Sequence, residues 1–171
     1  MRTPLIVLVG AVAALAYSAR AAQAQGSGPL LIRAKYVNLP LSDDTTRQRV
    51  GSSQKGAEID FGSKASGGNS FLTVGYFETR KSGQFLRTMP ITLTNHGTGP
   101  LPFGGIYTTS GIGAYLLSTN GSGTKVKYGG FFGVGLKIGG GLFAEAKYLQ
   151  VQGEVNGLNP NGLAVLIGKQ F

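Results

Sequence analysis

Residues 126–151 read VKYGGFFGVGLKIGGGLFAEAKYLQV. One parity carries Val126, Tyr128, Gly130, Phe132, Val134, Leu136 and Ile138, and the other carries Lys127, Gly129, Phe131, Gly133, Gly135 and Lys137. A period of two marks a strand with unlike faces. Gly139-Gly140-Gly141 follows, where positive φ costs little, and predicts a tight hairpin. Leu142, Ala144, Ala146 and Tyr148 then alternate with Phe143, Glu145, Lys147, Leu149 and Val151. Setting Ile138 opposite Leu142 puts Glu145 against Gly135 and Lys147 against Gly133. It also puts Leu136 against Ala144, Val134 against Ala146 and Phe132 against Tyr148, so each face stays uniform across the pair. The charged face is lined with glycine, which leaves room for Glu145 and Lys147 in a narrow lumen. The apolar face suits lipid.

The same alternation runs upstream. Leu30–Asn38 sets Leu30, Ile32, Ala34 and Tyr36 against Arg33 and Lys35, and Lys55–Gly62 sets Ala57, Ile59 and Phe61 against Glu58 and Asp60. Two cations on one polar face and two carboxylates on the next would pair inside a barrel, where a lone charge is costly. Leu39–Gln54 reads as the longest loop and the natural place for recognition. Ser63–Asn69 reads as a turn, Ser70–Arg80 as a strand, and Lys81–Gln84 as an unusually short connection. Phe85–Thr94 alternates, but Pro90 cannot donate to a ladder and predicts a bulge or break. Asn95–Pro102 reads as a loop, Phe103–Ser118 as one long or bent strand, Thr119–Thr124 as a turn and Gly153–Pro160 as a loop. The last strand spans Asn161–Phe171. The total is eight strands, an even number that leaves both termini on one side.

The first residues belong to export. Arg2, an apolar run from Leu5 to Ala16, and Ala22-Gln23-Ala24 form a signal-peptide pattern, so residues 1–24 are expected to be removed and 25–171 to form the barrel domain. The apolar run is shorter than the roughly 20 residues of a spanning helix. Without Arg2 and Arg20, fourteen Lys and Arg face seven Asp and Glu, a balance that favours anionic lipid headgroups or polyanions. An exported chain without cysteine takes its stability from packing and backbone pairing. The 29 glycines are spread through strand-like segments and not gathered in one run, so they do not mark a linker.

Three segments carry a resemblance. They are Gly141-Leu-Phe-Ala-Glu-Ala-Lys-Tyr148, Gly153 with Gly157-Leu-Asn-Pro-Asn-Gly162, and the terminal Gly168-Lys-Gln-Phe171. Together they resemble the end of the small eight-stranded bacterial outer-membrane barrels, the OmpA-like or porin-family group. The resemblance implies an all-β, antiparallel, up-and-down transmembrane barrel in the outer membrane of a Gram-negative cell. It implies a lumenal acid and base at Glu145 and Lys147, within Phe143-x-Glu145-x-Lys147-Tyr148. It implies a C-terminal assembly signal at Leu163, Val165, Ile167 and Phe171, read by the barrel-assembly machinery. Lys169 departs from the aromatic or apolar residue usual there, which bears on assembly efficiency. Outer-membrane lipid and lipopolysaccharide are the implied partners, and a stabilising or surface role is commoner in the group than catalysis.

The expected lumen charge network is therefore Arg33, Lys35, Glu58, Asp60, Lys137, Glu145 and Lys147. An eight-stranded interior is filled by side chains, so conduction is not expected. Tyr36, Tyr76, Tyr128 and Tyr148 read as membrane-interface girdle residues. His96, the only histidine, reads as a loop residue without a catalytic partner, and one His with no Cys supports no metal site. No cofactor, no enzymatic activity and no nucleic-acid partner are expected. Two other readings stand beside the first. A soluble lipocalin-like barrel binding an apolar ligand would invert the faces and expose more charge than this chain carries. A barrel enzyme acting on outer-membrane lipid would need a nucleophile and base that the sequence does not single out.

Overall fold

The computed structural model describes residues 30–63, 69–98 and 105–171. The expected signal peptide, most of the Ser63–Asn69 turn, and Phe103 lie outside them. Eight strands and one short helix follow in order: β1 (Leu30–Pro40), α1 (Asp44–Val50), β2 (Ser53–Ser63), β3 (Ser70–Lys81), β4 (Gln84–Thr98), β5 (Ile106–Thr119), β6 (Ser122–Gly139), β7 (Leu142–Val151) and β8 (Gly162–Gln170). Each strand pairs antiparallel with the next, and β8 returns to β1, closing the sheet. Closure removes the unpaired edges an open sheet would leave.

Register fixes the barrel's shape. The chain of partners Leu31, Gly62, Phe71, Thr94, Gly111, Phe131, Leu149 and Gly162 circles the barrel and arrives at Leu41, ten residues beyond its start. That stagger requires tilted strands, in the range of about 35–45° typical of barrels. Leu30 and Phe171 lie at the same end, where the Phe171 N–H donates to the Ile32 carbonyl at 2.9 Å. α1 sits at the other end.

The β6–β7 hairpin pairs Gly133 with Lys147, Gly135 with Glu145 and Leu136 with Ala144, as the alternation requires. Ile138 does not face Leu142. The register shifts between Lys137 and Gly139, and Gly139 takes that place, so Ile138 is bulged. Gly139, Gly140 and Gly141 all have positive φ, at 112°, 59° and 79°. The short β3–β4 connection is a two-residue turn with Ser82 at φ 50° and Gly83 at φ 80°. Positive φ at both central residues is the geometry that matches strand twist in a tight hairpin.

Three expectations are corrected. β4 runs unbroken through Pro90. Only its ladder to β3 lapses, between the Val74–Ile91 and Phe77–Thr88 pairs, and the register is kept on both sides. The proline ring points inward over Gly75, where an added Cβ would lie 2.9 Å from Pro90 Cγ. Second, Leu39–Gln54 is not all loop. It extends β1 to Pro40, starts β2 at Ser53 and holds α1 between them. The helix is capped by Asp43, whose carboxylate accepts the Thr46 N–H at 2.6 Å, and Asp44 and Arg47 pair on its first turn. Third, Asn95–Thr98 belongs to β4, and His96 pairs with Thr109 of β5.

The pleat sorts side chains in one sense. β3 and β8 alternate buried and solvent-facing residues along their length. The outward set includes Ile91, Leu93, Ile112, Phe132, Val134, Val165 and Ile167, with Leu93 68 % and Ile112 73 % exposed. The inward set has two storeys. Nearer α1 it is apolar, with Val37, Leu39, Phe77, Tyr115, Leu117, Leu149, Val151 and Leu166 filling the cross-section. Leu41, Val50, Leu86 and Leu158 close that end beneath α1 and the β7–β8 loop. Nearer Phe171 the interior is charged.

Candidate functional site

The charged storey gathers six of the seven expected lumen residues. Arg33 and Lys35 come from β1, Glu58 and Asp60 from β2, Glu145 and Lys147 from β7, and none is more than 3 % exposed. Arg33 reaches Glu145 Oε1 at 2.7 Å and Asp60 at 3.4 Å. Lys35 reaches Asp60 at 2.7 Å, Glu58 at 2.9 Å and Glu145 at 3.8 Å. Lys147 Nζ donates to both oxygens of Glu58, at 2.7 and 2.6 Å. Three cations thus meet three carboxylates, and the cluster is neutral as a unit. Each ion costs several kcal/mol to desolvate, which only a multiply bonded network offsets.

Neutral groups complete it. Thr73 donates to Asp60 Oδ1 at 2.8 Å and shares a hydrogen bond with Thr94 at 2.8 Å. The Tyr107 hydroxyl accepts from Arg33 at 2.6 Å and donates to Glu145 at 2.7 Å. Arg33 Nη1 lies 2.8 Å from His96 Nε2 and 2.9 Å from Nδ1. The guanidinium is walled by aromatic rings, 3.8 Å from the Phe143 centroid and 5.5 Å from those of Phe71 and Tyr107. His96 stacks between Phe71 and Tyr107, at 4.8 and 5.0 Å. Lys147 lies 4.3 Å from the Phe131 ring.

The glycines of β6 make this packing fit. A Cβ at Gly135 would collide with the Tyr107 ring, and one at Gly133 with the backbone of Ala146 and Lys147. Thus the glycine face does admit the charged face of β7, with an aromatic ring filling part of the space.

Lys137 does not join the network. It has the inward parity, but it lies beside the bulge at the last turn of the hairpin and is exposed. His96 is a second correction: it is a strand residue inside the barrel, placed there by the parity of Thr92 and Thr94. Tyr107 and Tyr115 are further buried lumenal residues, beyond those expected. The signal was available, since both share the parity of Thr109, Gly111 and Gly113, opposite Ile106, Ile112, Ala114 and Leu116.

The four girdle candidates all face outward. Tyr76 donates to Glu78 at 2.5 Å and lies 5.4 Å from the Arg87 guanidinium, at the polar margin near α1. The Tyr128 carbonyl accepts from Gln152 at the same end. Tyr36 stands between Ala57 and Ile167, and Tyr148 between Phe132 and Leu163, within the apolar band. Leu163, Val165 and Ile167 are exposed along β8, and Phe171 is exposed just beyond its end.

No family model matches the chain, and no curated protein matches it. Among solved structures it is similar to the crystal structure of Neisserial surface protein A (NspA), at 14 % identity and a TM-score of 0.48, over 82 % of this chain and 94 % of that one. That likeness is too distant to bear on function.

Proposed function

We propose that the chain is an outer-membrane β-barrel with a structural or surface-interaction role, its lumen filled by side chains. One observation carries this reading: the pleat turns large aliphatic side chains outward and six ionised groups inward. Water would penalise such a surface, since soluble monomers rarely expose contiguous apolar patches beyond a few hundred Å². Hydrocarbon favours it, because closure satisfies the backbone and the charges are paired out of its reach. A lipocalin-like carrier needs an open apolar cavity within and a polar coat without, whereas here packed side chains occupy the interior and the outer band is apolar.

In this reading the end holding Leu30 and Phe171 is periplasmic, and α1 and the Gly153–Pro160 loop face outward from the cell. The barrel-assembly machinery reads Leu163, Val165, Ile167 and Phe171. Tyr76 and Tyr128 serve as girdle residues at the outer margin, while Tyr36 and Tyr148 contact acyl chains. In this reading the role is not catalytic, and His96 belongs to the lumen packing, against Arg33 and between two aromatic rings.

Expression in a Gram-negative host tests the proposal. The chain is expected in the detergent-resistant outer-membrane fraction, migrating faster on gels unheated than boiled. Recovery as a soluble periplasmic protein would contradict it.

A further inference from the structure

The outward face changes chemistry toward α1. There Lys55, Glu78 and Arg87 stand in register on β2, β3 and β4. Arg80 and Arg87 both bond the single carboxylate of Glu78, at 3.2 and 2.9 Å. Their guanidinium carbons lie 5.7 and 5.3 Å from the centre of the Phe85 ring. Phe85 also lines a cleft of about 60 Å³ with Arg49 of α1, Asn120 and Asn156. Two arginines therefore gather around one ring, a third lines the cleft beside it, and Lys55 and Lys81 stand nearby. Among the described residues Glu78 is the only carboxylate within 4.0 Å of any of these five cations. Each guanidinium carries five N–H donors, so one shared carboxylate leaves donors over.

We propose that this ridge binds the phosphate of a lipopolysaccharide headgroup in the surrounding leaflet. The inference rests on the outer-membrane reading above. The chemistry is that of an anion site: planar guanidiniums, held in place by Glu78 and by stacking on Phe85 and Tyr76, present paired donors to phosphate oxygens. The location selects a lipid over a soluble anion. Directly below the ridge, the same outward face of β3 and β4 continues into Val74, Leu72, Ile91 and Leu93, where acyl chains would lie while the phosphate reaches Arg80 and Arg87.

The test uses the full chain in phosphatidylcholine nanodiscs, with native mass spectrometry counting retained lipid. The probes are lipid A with its phosphates, lipid A stripped of them, and soluble heparin. Flotation of discs without lipid A is scored first. Failure to insert there overturns the membrane reading and this inference together. With insertion established, the wild type and a Lys169→Gln control are expected to retain the phosphorylated lipid roughly tenfold better than the stripped form, and Arg80→Gln/Arg87→Gln to lose that preference. Should the double variant not fold, Arg49→Gln, on the helix outside the barrel wall, is expected to show a smaller loss of the same sign. Equal retention by wild type and variants overturns the inference alone, as does a preference for heparin over lipid.

Discussion

Lys147 on β7 and Glu58 on β2 meet across the barrel, with Nζ 2.7 and 2.6 Å from the two carboxylate oxygens, although their strands are not sheet neighbours. Contacts of this kind tie opposite walls together where backbone pairing cannot. Removing one partner leaves a buried charge. Lys147→Met is expected to destabilise the barrel by about 3–5 kcal/mol in reversible denaturant unfolding from lipid vesicles. Adding Glu58→Leu to it should recover much of that loss, because both charges are then gone. Purely additive losses would contradict a coupled network.

The outward face gives a depth-dependent expectation. Leu93 lies mid-strand between Leu72 and Ile112, and Leu136 lies near the β6–β7 turn. Leu93→Arg should cost about 2–4 kcal/mol in the same unfolding measurement, and Leu136→Arg less, since a charge nearer the interface is tolerated better. Equal costs at the two sites would speak against a bilayer around the band.

Gly135 tests the packing of the charged storey. Its missing Cβ makes room for Tyr107, whose hydroxyl joins Arg33 to Glu145. Gly135→Ala is expected to cost about 1–3 kcal/mol by overpacking. Pairing it with Tyr107→Phe should add less than the sum of the two, because the alanine already displaces the ring.

α1 carries a pH dependence of its own. Hydrogen bonding from Thr46, with Arg47 nearby, holds the Asp43 carboxyl below the usual aspartate range. A depressed value means that the cap's contribution is present above the unfolded aspartate value, near pH 4, and is lost as the pH falls through the folded value. Asp43→Ala should weaken the helix by about 1 kcal/mol at neutral pH. The readout is faster trypsin cleavage after Arg47 and Arg49, while the barrel stays intact. Unchanged cleavage would show that packing of Val50 and Thr46, not the cap, holds α1 in place.

The hairpin was legible because two features agreed: strict alternation through Phe132, Val134 and Leu136, and a glycine turn that set the register. The pairing of Arg33 and Lys35 with Glu58 and Asp60 followed from the same parity. His96 was not legible as lumenal, since Asn95 and Gly97 around it have turn chemistry and its apolar neighbours, Phe71 and Tyr107, come from other strands. Seven residues of α1 are too few to display a helical period, and its anchors Leu41, Leu86 and Leu158 are scattered along the chain. The apolar upper storey was hidden for a related reason. Val37, Leu39, Leu149 and Val151 share parity with charged residues, and only the stagger of the strands separates them by height. Lys137 misled by parity alone: it continues the lumenal face beyond the point where the lumen ends.

The most direct measurement exploits the absence of cysteine. Single cysteines at Ile91, Thr92, Leu93 and Thr94 of β4 can each carry a fluorophore, in vesicles containing nitroxide-labelled lipid. Strong quenching is expected at positions 91 and 93 and little at 92 and 94. Uniform protection at all four, or quenching at 92 and 94 instead, would contradict the membrane reading.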